Sequence, residues 1–163
     1  MVVLLAAFNS FDTISKSQAY QADRTQNLDD MRGVLQRMTK ELRQATSVTD
    51  PGTTPASTLT YVTYVDGVST TVTYAVTGTC NATTPACTMT RKVGSNNAFT
   101  VLKRLTSSGV FTPASATSAD VTGIQWVEID LSLSPARSPD TTLALEAKVN
   151  LRNRTAALEG TTT

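Results

Sequence analysis

Few side chains in this sequence can do chemistry, and their types narrow that chemistry quickly. The 163 residues include no histidine, which removes Ser-His-Asp and Cys-His nucleophile pairs and histidine-based zinc sites together. The two cysteines, Cys80 and Cys87, stand close together in CNATTPAC. Zinc would need further ligands, and the spacing is not that of a C-x-x-C redox pair. Closure of a short loop by a disulfide is the better reading; two buried thiols are the alternative. Such a closure would contribute about 2–3 kcal/mol by the loop-entropy argument and would place the domain outside the cytoplasm. Asn81-Ala82-Thr83 within this loop matches a glycosylation sequon, a triplet that also arises by chance.

Two carboxylate pairs, Asp29/Asp30 and Glu128/Asp130, invite an acid–base reading. The first pair is adjacent on a helix and the second flanks a buried strand position, so both read as solvated faces. Arg91-Lys92, Lys103-Arg104 and Arg152/Arg154 could face a polyanion, but neighbouring strand residues point to opposite faces and split the first two clusters. The net charge is +1, which exerts no global pull toward nucleic acid or an anionic membrane. The sequence has no Gly-rich phosphate loop and no Asp/Asn-dense calcium loop. Neither catalysis nor a cofactor is expected, and nucleic acid is not an expected partner. Trp126, the single tryptophan, should point away from Val127, Ile129 and Leu131. It either covers the outer side of a sheet or marks a contact with a neighbouring subunit, since tryptophan is favoured at interface hot spots.

The elements that would position these groups begin with LDDMRGVLQRMTKELRQA. Leu28, Met31, Leu35, Met38, Leu42 and Ala45 recur at alternating steps of three and four, one stripe on an α-helix that Val34 widens. Asp29, Asp30, Arg32, Arg37, Lys40 and Arg43 form the opposite, solvated face. Burial of each large apolar member would contribute roughly 1.5–3 kcal/mol. Gly33 weakens the helix by about 1 kcal/mol relative to alanine, and Asp50-Pro51-Gly52 stops it.

Carried backwards, the stripe gives Arg24, Gln21, Ser17 and Ile14, which is mostly polar. Neither proline nor glycine interrupts residues 1–32, so one continuous helix is expected. Its opening, MVVLLAAFNSF, is apolar on every side, with Val2, Val3, Leu4, Leu5, Phe8 and Phe11 as the membrane and filament part. These eleven residues are too few to span a bilayer, which takes about 20; they read as the end of a longer apolar helix cut short by the start of this chain. The expected division is therefore residues 1–50 as a long helix, with 1–27 protruding and 28–45 packed, followed by a β-rich head over 51–163.

In the head the period changes to two. LTYVTYVDGVSTTVTYAV contains Asp66-Gly67, a type I′ hairpin signal that sets Val65 opposite Val68, Tyr61 opposite Val72 and Leu59 opposite Tyr74. CTMTRKV and AFTVLKRLT flank Gly94-Ser95-Asn96-Asn97 as a second hairpin. Val127, Ile129, Leu131 and Leu133 alternate with polar residues, as do Leu143, Leu145, Ala147, Val149 and Leu151, and SPARSPD connects them. Thirty threonines suit strands with one wet face. The expected fold class is α+β: a long N-terminal helix packed by its C-terminal half on an antiparallel sheet covered on one side.

This order of elements resembles type IV pilin-like proteins, and within them the minor pilin and type II secretion J-type pseudopilin group. The resemblance is carried by MVVLLAAFNSF, by LDDMRGVLQRMTKELRQA and by the closing VTGIQWVEIDLSLS and LALEAKVNLRNR. It implies a structural subunit of a type IV pilus or a secretion pseudopilus that takes part in tip formation and the initiation of assembly. The implied partners are other pilin-like subunits in a hetero-oligomeric filament or tip complex. The implied site is the cytoplasmic (inner) membrane, through the N-terminal helix, with the head extracytoplasmic. The family's basic leader, its prepilin-peptidase cleavage site and a nearby glutamate do not occur from Met1 onward, and Met1 is expected to fall inside the membrane segment. The alternative function is a surface adhesin, or a pilin head that binds DNA or another ligand through the loops around Cys80 and Cys87. That loop lacks the aromatic and basic clustering that stacking on nucleic acid needs.

Overall fold

The computed structural model describes residues 2–49, 51–80, 86–115, 124–137 and 141–152, the side chains of 2–13 and 115 excepted. One helix, α1 (Val2–Arg43), is followed by eight strands: β1 (Ser47–Thr49), β2 (Thr58–Val65), β3 (Val68–Thr77), β4 (Cys87–Val93), β5 (Phe99–Leu105), β6 (Phe111–Ser115), β7 (Ile124–Leu133) and β8 (Leu143–Asn150). At 1.5 Å per residue the helix is about 63 Å long.

Turn chemistry fixes the first hairpin. Asp66 and Gly67 both take positive φ, 51° and 80°, as a two-residue type I′ turn requires. The register follows, with Val65 opposite Val68, Tyr61 opposite Val72 and Leu59 opposite Tyr74. At Gly78 a side chain is excluded outright, because a Cβ there would lie 2.8 Å from the Ala86 carbonyl oxygen. That close approach brings the chain back for β4 and lets Cys80 and Cys87 bond with their Cα atoms 5.0 Å apart.

The expected α+β, pilin-like class is not what the chain forms. Its strands make a single large antiparallel sheet of eight strands, curled into a half-barrel, with one helix, so the α+β description fits only loosely. Three features produce the curl. The strand β5 is interrupted at Val101 and Arg104, the residues left without partners where its register with β4 shifts, and such bulges bend a strand and increase its twist. Arg104 also takes φ 63°, a conformation uncommon outside glycine; it is held there by its own hydrogen bonds to the Ser134 and Pro135 carbonyls, at 2.7 and 3.3 Å. Beyond this corner β5 and β6 run consecutively along one edge of β7, from Leu105 opposite Leu133 to Phe111 opposite Ile129. The far edge of β7 carries β8. The sheet therefore continues around the corner instead of ending, and Ala56 ties back to it through hydrogen bonds with Val110 and Phe111.

The core lies between the concave face and the second part of the helix. Met31, Leu35, Met38, Leu42 and Ala45 are buried against Leu59, Met89, Leu105, Ile129, Leu131 and their neighbours, and Leu28 and Val34 are partly buried beside them. Upstream the helix leaves the head. No side chain from Ile14 to Ala22 is buried and only Ala19 is half-buried; Ile14 and Tyr20 are 55% and 47% exposed. Val2, Val3, Leu4, Leu5, Phe8 and Phe11 belong to the helix, but their side chains lie outside the described residues. Among the described residues no helix is long and apolar enough to cross a membrane.

Packing on one face gives a direct test. Leu42 is fully buried and Gln36 exposed. Leu42→Ala should lower the unfolding free energy by about 2–5 kcal/mol and Gln36→Ala by under about 0.5 kcal/mol, measured by urea denaturation. Equal midpoints would contradict the assignment of faces.

Candidate functional site

The chemistry-bearing residues fall into two groups, one inside the head and one outside. The inner group lies where the last turn of α1 meets β2, β3 and β4. Tyr61 and Tyr74 point inward because they share the apolar register of their strands, and both are fully buried. A buried phenol needs a hydrogen-bond partner. Glu41 supplies it: its Oε2 accepts from Tyr61 at 2.6 Å and from Tyr74 at 3.4 Å. Its Oε1 accepts from the Arg91 guanidinium at 2.6 Å, and its backbone carbonyl accepts from the Thr63 hydroxyl at 3.0 Å.

Arg91 is sandwiched as well as paired. Its guanidinium lies 5.9 Å from the centroids of both Tyr74 and Phe99, within cation–π range. Its Nε is buried without a hydrogen-bond partner among the described residues. Burial raises the pKa of Tyr61, and the neighbouring Tyr74 and the Glu41 carboxylate add to the rise. Burial and then Glu41 likewise raise that of Tyr74. Burial opposes the charged form of Arg91, but the hydrogen bond and charge of Glu41 outweigh it and leave its pKa raised. Both phenols thus stay protonated donors and the guanidinium stays charged. The group has the chemistry of a clamp: one carboxylate collects three donors from three strands and holds the helix end to the sheet.

The outer group sits on the wet face of β7 and β8. Register places Glu128 opposite Lys148 and Asp130 opposite Glu146, and carboxylate oxygens of Glu128, Asp130 and Glu146 lie within 4.8 Å of one another. These three could hold a divalent cation between them. Lys148 does not neutralise them, because its ammonium sits 3.7 Å from the centre of the Trp126 ring. The hydrogen bond with Glu128 and the charges of Asp130 and Glu128 raise the pKa of Glu146.

The sequence-derived candidates therefore separate. Cys80 and Cys87 form the disulfide; Asn81 and Arg154 lie outside the described residues. Trp126 is half-buried under Lys148. Asp29 is exposed and pairs with Arg32 at 3.4 Å. Arg91 and Lys92 fall on opposite faces, as strand alternation requires: Arg91 is buried and Lys92 exposed. Glu41 was missed altogether. A signal for it existed: Val34, Met38, Glu41 and Ala45 share one flank of the stripe, and two inward tyrosines needed an acceptor. Comparison with protein-family models, with curated proteins and with solved structures yields no match.

Two measurements follow. Removing one partner of a buried ion pair costs about 3–5 kcal/mol, so Glu41→Ala should lower stability by that amount in a denaturant titration. A loss under about 1 kcal/mol, the size expected of a surface pair, would contradict the clamp. For Glu146 the raised pKa means that the folded state holds a proton which the unfolded chain has already released. Stability should therefore fall as pH rises above the ordinary value of 4.5. Glu146→Gln should raise the thermal midpoint at neutral pH and flatten that decline; an unchanged pH profile would contradict the repulsion.

Proposed function

We propose that this protein is a structural subunit of an extracytoplasmic filament, a minor pilin or pseudopilin of a type IV pilus or secretion pseudopilus. One observation carries the reading: a single helix packs its later turns on the head and sends residues 14–22 into solvent with no side chain buried. A helix that long gains little from propensity alone in water, so its projecting part needs a partner outside its own chain. Other pilin-like helices and, at the apolar start, the cytoplasmic membrane fit that need. The disulfide supports an extracytoplasmic head. The polar clamp supports a mechanical role, because it fastens the helix to the head and presents no nucleophile to a cleft. Catalysis and a bound cofactor form no part of this proposal.

Removal of residues 1–22 tests it and leaves Asp23, which is bonded to the head, accepting from the Arg137 amide at 3.0 Å. The shortened protein should fold cooperatively with the thermal midpoint of the full chain. It should fail to co-purify with the pilin-like subunits of its host or to enter their filaments. Loss of the fold, or undiminished assembly, would overturn the reading.

A further inference from the structure

The centre of the apolar stripe that holds α1 to the sheet repeats itself under a slip of one turn. Suppose the helix advanced four residues toward its C-terminus. Val34 would take the place of Met38, Met31 that of Leu35 and Met38 that of Leu42, apolar for apolar at three buried positions. Toward the ends the exchange is polar: Asn27 would replace Met31, Glu41 itself would replace Ala45, and Arg24 and Asp30 would take the half-buried places of Leu28 and Val34. Hydrophobic burial is non-directional and roughly proportional to area, so the three central positions do not tell the two registers apart, and only the ends of the stripe favour the observed one.

One position separates them sharply. Glu41 is the only carboxylate between Asp30 and Asp50, and it meets Arg91, Tyr61 and Tyr74 together. The slip would put Arg37 in its place, setting two guanidinium groups against each other and leaving two buried phenols without an acceptor. A slip of one turn in the other direction would put Ala45 there, with no acceptor to offer. A single polar residue in an otherwise apolar seam is known to set register in coiled coils at some cost in stability. The same physics applies here between a helix and a sheet.

We propose that the Glu41–Arg91 pair indexes the helix: it fixes which turn of the stripe lies on the sheet, and so how far the exposed part of α1 projects from the head. The pair is a positioning device. A one-turn slip would shift the projecting part by about 6 Å, four residues of helical rise. The consequence for subunit packing rests on the filament reading above, whereas the register itself is a property of the isolated chain.

The test therefore uses the full chain without a filament. Nitroxide labels at Ser17→Cys and Lys103→Cys, both exposed positions, report the axial position of the helix by double electron–electron resonance. Ser17 lies ten residues, about 15 Å of helix, from Asn27, which lines one cleft with Lys103. The parent protein should give one distance. Moving the carboxylate by one turn, Arg37→Glu with Glu41→Ala, should shorten it by about 6 Å. Making the pair apolar, Glu41→Leu with Arg91→Met, should leave the head folded and populate both distances. The parent distance alone in the relocated variant would overturn the proposal. So would the parent distance alone in the apolar variant, which decides the matter by itself if the relocated variant does not fold. Neither result depends on assembly, so a subunit that assembles with an unindexed helix would keep the filament reading and lose this one.

Discussion

A buried ion pair is expensive to make and more expensive to break, and this fold hangs on one. Glu41 and Arg91 have side chains only 14% and 10% exposed, so neither charge is solvated by water in the ordinary way. Their desolvation is offset only because the geometry is good and further donors, the two tyrosine hydroxyls, satisfy the remaining carboxylate lone pair. With the two tyrosines the pair joins α1 to three successive strands. Burial of Met31, Leu35, Met38 and Leu42 supplies most of the adhesion between these layers; the pair supplies direction.

Whatever the sequence states locally was legible from it. The stripe from Leu28 to Ala45 follows from 3.6-residue periodicity, and the β2–β3 register follows from Asp66-Gly67 and alternation. What depends on distant parts of the chain was not legible. Nothing in AFTVLKRLT announces that Val101 and Arg104 fall out of register with β4, yet those bulges turn a flat expectation into a half-barrel. The strand β6 was overlooked because Pro113 sits inside it; proline is tolerated there on the edge side, opposite Val127. Alternation separates Arg91 from Lys92, but sequence cannot tell which of the two faces inward when the partner of the buried one lies fifty residues away. Glu41 shares a flank of the stripe with Val34, Met38 and Ala45, but one acid on a well-charged helix stands out only once the two inward tyrosines that need an acceptor are placed beside it.

The outer face of β7 and β8 obeys a different logic. Glu128, Asp130 and Glu146 crowd together while Lys148 turns to Trp126. Exposed charges are cheap to crowd because water screens them, so this face can carry repulsion that the core could not. The head thus keeps one charge pair where dielectric screening is weak and places like charges where it is strong. That contrast fits a head whose interior fixes the helix and whose exterior is left to water.

Amide hydrogen exchange of the isolated full chain tests most directly the claim that one helix is divided between head and partner. The account predicts that amides of residues 14–22 exchange orders of magnitude faster than those of 31–42, which open only when the clamp and the core open. Equal protection along the whole helix would contradict it, because the projecting turns would then be held by this chain alone.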